Sequence, residues 1–110
     1  STAGDRNIIS GNKEHGVIIV NAATNNKVQG NYIGTNAAGT AALGNSFTGV
    51  IILNSASNFI GGGSAGEGNI ISGNQQAGLA IVSNANNNKI QGNYIGSKSD
   101  GTGGLGNGNE

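Results

Sequence analysis

The chain has 110 residues, 22 of them glycine, with no cysteine, no proline, and five basic residues balanced by five acidic ones. That length holds one domain or part of one, and the missing cysteine excludes a disulfide scaffold and a thiolate metal site. Sparse, balanced charge gives no field to hold a nucleic-acid backbone or an anionic membrane surface, so neither is predicted as a partner.

Taken in chain order, the apolar residues come in short runs. Ile8 and Ile9 lie in Asn-Ile-Ile-Ser-Gly-Asn at 7–12, and Gly16 leads Val-Ile-Ile-Val at 17–20. Val28 and Ile33 follow within Lys-Val-Gln-Gly-Asn-Tyr-Ile-Gly at 27–34. A longer insert at 35–47 precedes Gly-Val-Ile-Ile-Leu at 49–53, and Ile60 comes next. The series then returns: Asn-Ile-Ile-Ser-Gly-Asn at 69–74, Gly-Leu-Ala-Ile-Val at 78–82, Lys-Ile-Gln-Gly-Asn-Tyr-Ile-Gly at 89–96, and Leu-Gly-Asn at both 43–45 and 105–107. Residues 4–45 and 66–107 align without a gap at an offset of 62, with 25 of 42 positions identical. No run approaches the roughly 20 apolar residues that span a bilayer. Residues 1–20 have no basic segment followed by an apolar signal core, so an export signal is expected outside residues 1–110.

Inside the 62-residue period lies a finer unit of about 30 residues, in two alternating versions. Runs of three to five β-branched residues bounded by Gly, Asn and Ser read as short strands, too short for a helix of roughly ten residues. Three such strands per unit describe one coil of an all-β solenoid, a parallel β-helix with about three and a half coils of ~30 residues. The coils are expected near 1–26 (partial), 27–57, 58–88 and 89–110 (partial), forming a single module.

Stacking the units generates columns. Ile9, Ile33, Ile71 and Ile95 make one; Val17, Val50 and Leu79 a second; Ile19, Ile52 and Ile81 a third; Val28, Ile60 and Ile90 a fourth. Alternation along each strand assigns these to the interior. Asn7, Asn31, Asn69 and Asn93 form a polar column, predicted to be a structural ladder of amide hydrogen bonds. Glycines before each strand, and those after Val-Gln or Ile-Ser, are expected to supply positive φ at corners.

The same motifs, Asn-Ile-Ile-Ser-Gly-Asn, Gly-Val-Ile-Ile, Val-Gln-Gly-Asn-Tyr-Ile-Gly-Thr and Gly-Thr-Ala-Ala-Leu-Gly-Asn, resemble the right-handed parallel β-helix repeats of large bacterial secreted and surface proteins, in the broad pectate-lyase-like architecture. The resemblance spans essentially the whole chain. It implies right-handedness, an extracellular or bacterial cell-surface location, and carbohydrate as the commonest ligand class. It carries over no catalytic residue, because the matching motifs are the structural repeats themselves.

For chemistry, the sequence provides little. No catalytic set and no cofactor are predicted. Asp5 and Glu67 occupy equivalent positions two coils apart, ~9.6 Å if directly stacked, near the spacing of an inverting carboxylate pair. Gln29 aligns between them, no arginine or further acid joins them, and surface acids flanking a turn are far commoner than catalytic ones. His15 has no partner at metal-ligand spacing and reads as a solvated loop residue. Ser97-Lys98-Ser99-Asp100-Gly101 lacks the acid series of a calcium loop. A threonine ladder of the ice-binding kind would need more than Thr35, Thr40 and Thr102.

Two outward features remain. Ile18, Ile51 and Ala80 line up, as do Val20, Leu53 and Val82, giving an aliphatic strip that either forms an interface or lies under the 35–47 insert. Tyr32 and Tyr94, stacked with Ile8 and Ile70, offer either a carbohydrate-stacking platform or plain packing. The expected function is therefore a structural or interaction module, self-associating or binding polysaccharide, as a homo-oligomer or as part of a longer repeat array. A segment of a polysaccharide lyase or hydrolase is the alternative, and an ice-binding solenoid a third.

Overall fold

A computed structural model describes residues 6–83, 85–98, 101 and 103–108. Among these there is no helix, and ten short strands follow one another: β1 (Ile8–Ile9), β2 (Val17–Ile19), β3 (Lys27–Val28), β4 (Tyr32–Ile33), β5 (Val50–Leu53), β6 (Phe59–Gly61), β7 (Ile70–Ile71), β8 (Leu79–Val82), β9 (Lys89–Gln91) and β10 (Tyr94–Ile95). Every third strand joins the same sheet. Sheet A has the order β1-β4-β7-β10, sheet B β2-β5-β8 and sheet C β3-β6-β9, and all these pairings are parallel. The chain thus passes through A, B and C in turn and stacks each pass on the one before, an all-β arrangement consistent with a β-solenoid.

The register matches the columns read from the repeat. Ile9, Ile33, Ile71 and Ile95 are successive partners in sheet A. Val17–Val50–Leu79 and Ile19–Ile52–Ile81 align in sheet B, and Val28–Ile60–Ile90 in sheet C. β-Branched side chains suit this pleated, half-buried setting. The inward residues of all three sheets meet in one core of Ile19, Ile33, Val50, Ile52, Ile60 and Ile71. No strand exceeds four residues, so cohesion comes from stacking, where each buried aliphatic side chain contributes about 1.5–3 kcal/mol.

Corners between sheets carry three asparagine ladders. In the ladder predicted between sheets C and A, Asn7 Nδ2 donates to Asn31 Oδ1, the backbone N and Nδ2 of Asn31 donate to Asn69 Oδ1, and those of Asn69 to Asn93 Oδ1. A second, between A and B, runs Asn12–Asn45–Asn74–Asn107 in the same pattern. The third, between B and C, is Asn26–Asn58–Asn88. Spare Nδ2 protons go to strand-end carbonyls, as from Asn74 to Ile33 O and from Asn69 to Val28 O. An asparagine suits this place because one carboxamide both accepts two bonds and donates two. Among the described residues, no buried side-chain nitrogen or oxygen lacks a partner.

The two alternating units differ by where they bulge. Asn12 follows Ile9 by three residues, whereas Asn45 follows Ile33 by twelve, the intervening loop closing on itself through an antiparallel bridge between Thr35 and Ala42. Ser97 and Gly104 repeat that bridge. The other bulge, 62–68, separates Ile60 from Asn69 at the C-to-A corner.

The corner glycines divide into two kinds. Gly30 and Gly92, after Val-Gln and Ile-Gln, do have positive φ, as do Gly11 and Gly73. Gly16, Gly49 and Gly78, which precede the sheet B strands, do not. They are glycine for lack of room: a Cβ on Gly49 would stand 2.7 Å from both Gly78 O and Asn74 Nδ2. The expectation of positive φ at these three is therefore corrected; the ladder amide and the next pass of backbone fill the space.

Candidate functional site

Sheet B turns its second face to solvent. Ile18, Ile51 and Ala80 are successive partners there, and Leu53 pairs with Val82. Ile18 is 50% exposed, Leu53 and Val82 are also exposed, and Val20, Ile51 and Ala80 are half-buried. The 34–45 loop folds back on its own Thr35–Ala42 bridge and leaves Ile18 open.

The two acids considered for catalysis have different fates. Asp5 lies outside the described residues. The Glu67 carboxylate accepts a hydrogen bond from the Ser64 backbone N–H at 2.9 Å, while Glu67 N donates to Ser64 O at 3.1 Å. Its Oε1 also fills the space where a Gly62 side chain would stand. Glu67 therefore builds the turn of the 62–68 loop. On the preceding pass, Gln29 Nε2 donates to Gly61 O and Gly30 N donates to Glu67 O.

His15 is more engaged than a solvated loop residue. It is half-buried, its Nδ1 accepts from Thr48 N–H at 3.1 Å, and its ring packs on Phe47 with centroids 5.4 Å apart. Accepting at Nδ1 leaves Nε2 as the protonated nitrogen of the neutral ring. Among the described residues, no group of three or more His, Asp or Glu could hold a metal ion. Thr35 is buried, with its hydroxyl donated to Asn36 O, so it takes no part in an outward threonine row, and Thr102 lies outside the described residues.

Tyr32 and Tyr94 come from equivalent strands yet stand in unlike surroundings. Sheet A stacks Ile8, Tyr32, Ile70 and Tyr94 in one outward column. The Arg6 guanidinium lies over the Tyr32 ring, 4.1 Å from its centroid, a cation–π contact that occupies that face. The residue equivalent to Arg6 beside Tyr94 is Gly68. Tyr94, in the last described strand of sheet A, is 48% exposed, has Gly101 close to its ring, and lines an open cleft of about 380 Å³ together with the 62–66 loop.

Family models, curated proteins and solved structures gave no match to this chain. Its functional reading rests on these surfaces.

Sequence reasoning missed both the loop cleft and the Arg6–Tyr32 contact. The signal was present as one of the 17 non-identities among the 42 aligned positions, Arg6 against Gly68.

Proposed function

We propose that this chain is a structural and interaction module, a right-handed β-solenoid of about three and a half ~30-residue coils from a secreted or cell-surface protein, that works by associating with copies of itself. The observation that carries this reading is the open aliphatic face of sheet B, with Ile18 exposed in one column and Leu53 and Val82 in the next. Contiguous apolar surface of this kind favours a contact over solvent, at about 25 cal/mol per Å² removed from water. A second copy suits it as occupant: neither Ile18–Ile51–Ala80 nor Leu53–Val82 carries charge or an unpaired polar side chain, so two such flat faces meet without desolvating an ion.

Light scattering across a concentration series tests the proposal. Assembly to at least twice the 10.7 kDa chain mass is expected, and Ile18→Lys combined with Ile51→Lys should return the monomer, because apposed faces would then bury like charges. A wild-type chain that stays at 10.7 kDa even when concentrated overturns it.

A further inference from the structure

The cleft at Tyr94 lies on sheet A, away from the sheet B strip, and its chemistry points elsewhere. Its lining includes Gly62, Gly63, Ser64 and Ala65 of the loop together with Gly92 and Tyr94. Among the described residues, none that lines it carries a charge. Much of the loop wall is glycine, so the groups it offers are backbone N–H and C=O with the Ser64 hydroxyl. At about 380 Å³ the cleft falls within the ~300–1,000 Å³ of small-molecule sites.

The loop is held in shape from behind. Glu67 accepts from Ser64 N–H, Glu67 N reaches Ser64 O, and Glu67 O accepts from Gly30 N on the preceding pass. Gly68, at the foot of the loop, is pinned: a Cβ there would run into the Gly92 carbonyl. That close approach of backbones excludes a side chain at position 68, the place that Arg6 fills over Tyr32.

We propose that this cleft binds a neutral saccharide ring, stacked on Tyr94 and hydrogen-bonded by the backbone of the 62–66 loop. A sugar presents an apolar C–H face and a rim of hydroxyls that both donate and accept. An aromatic plane beside uncharged backbone groups complements both features. An acidic sugar would bring a carboxylate into a cleft whose described lining holds no cation to pair with it. Tyr32, its face taken by Arg6, is not a second site. The proposal does not depend on self-association through sheet B.

The test titrates the full chain with neutral hexasaccharides of glucose, mannose, xylose and galactose, with hexagalacturonate as the anionic control, by calorimetry and tyrosine fluorescence. With no tryptophan and only Tyr32 and Tyr94 in the chain, the fluorescence reads these two rings alone. Saturable binding of at least one neutral hexasaccharide is expected, with affinity falling about tenfold or more in Tyr94→Ala and changing less than about twofold in Tyr32→Ala. Ala65→Arg, on the exposed loop, should also abolish binding by filling the cleft, and guards against Tyr94→Ala acting through misfolding. Tyr94→Ala should leave the light-scattering mass unchanged, which separates this site from the sheet B face. No binding by any neutral member, equal losses at Tyr32 and Tyr94, or preference for hexagalacturonate would each overturn the proposal.

Discussion

Two isoleucines in sheet A, Ile71 and Ile95, are neighbours in one interior column, identical in chemistry and backbone setting, yet Ile71 is 0% exposed and Ile95 is 42% exposed. Ile71 has a pass of chain on either side, through Ile33 and Ile95, whereas among the described residues Ile95 has a neighbour on one side only. The same contrast separates Ile52 from Ile81 in sheet B, the first fully buried and the second exposed. In this architecture a residue's burial is conferred by the passes above and below it, so stability accumulates from neighbour to neighbour along one axis.

The sharpest way to break that comparison is truncation at both members of the pair. Ile71→Ala should cost about 3–4 kcal/mol, the transfer loss plus an unfilled cavity in a core that cannot collapse around it. In the 110-residue chain Ile95→Ala should cost about 1 kcal/mol, because much of its side chain is already wet. Urea unfolding of the two variants measures the difference, and equal costs would mean that a pass on either side is not what buries these side chains.

The ladders extend the comparison to polar groups. Asn74→Ala should cost about 2–3 kcal/mol, since Asn74 Oδ1 accepts from Asn45 N and Nδ2, its Nδ2 supplies Ile33 O, and all lie out of reach of water. Asn12, exposed at the first rung, should lose less than about 1 kcal/mol on the same change, because water replaces what the amide gives up. Unfolding midpoints at a common slope decide it.

How far these positions were readable follows from the two bulges. The Asn7–Asn31–Asn69–Asn93 ladder was legible because every member precedes a sheet A strand at fixed spacing. Asn12 and Asn45 belong to motifs that both repeat at an offset of 62, but a nine-residue difference in the loop before them hides that they share a column. Asn26, Asn58 and Asn88 lie at even spacing, but asparagine is so common in the turns of this chain that their spacing alone does not set them apart from their neighbours. The aliphatic columns were legible because spacing and alternation alone define them. The division between Tyr32 and Tyr94 was not, because it depends on a side chain from another pass, Arg6, and on the backbone squeeze at Gly68 that no spacing rule encodes.

Glycines sharpen the comparison further. Gly49→Ala forces a Cβ to within 2.7 Å of Gly78 O, between two stacked passes of backbone, and should cost about 2 kcal/mol. Gly104 has open space around it and no positive φ, so Gly104→Ala should stay within about 0.5 kcal/mol of wild type. Thermal melts of the two variants report the contrast directly. If Gly49→Ala proved neutral, the neighbouring passes would have to be looser than the Asn74 ladder geometry requires.

A small effect on stability is also expected at Glu67, and its value lies in separating stability from binding. Glu67→Ala removes one acceptor from an exposed turn and should lower stability by about 1 kcal/mol or less, because Ser64 N–H can turn to water. The backbone link from Gly30 N to Glu67 O survives the change, so the base of the loop stays attached to the stack. The wall facing Tyr94 loses its brace, however, and neutral hexasaccharide affinity should fall about three- to tenfold through the added cost of ordering the loop on binding. Glu67→Gln keeps an acceptor oxygen for Ser64 N–H and should restore most of that affinity. A catalytic carboxylate would show the opposite pattern, with binding retained and turnover abolished in the glutamine variant, so paired calorimetry and reducing-sugar measurements on these two substitutions distinguish a brace from a reacting group.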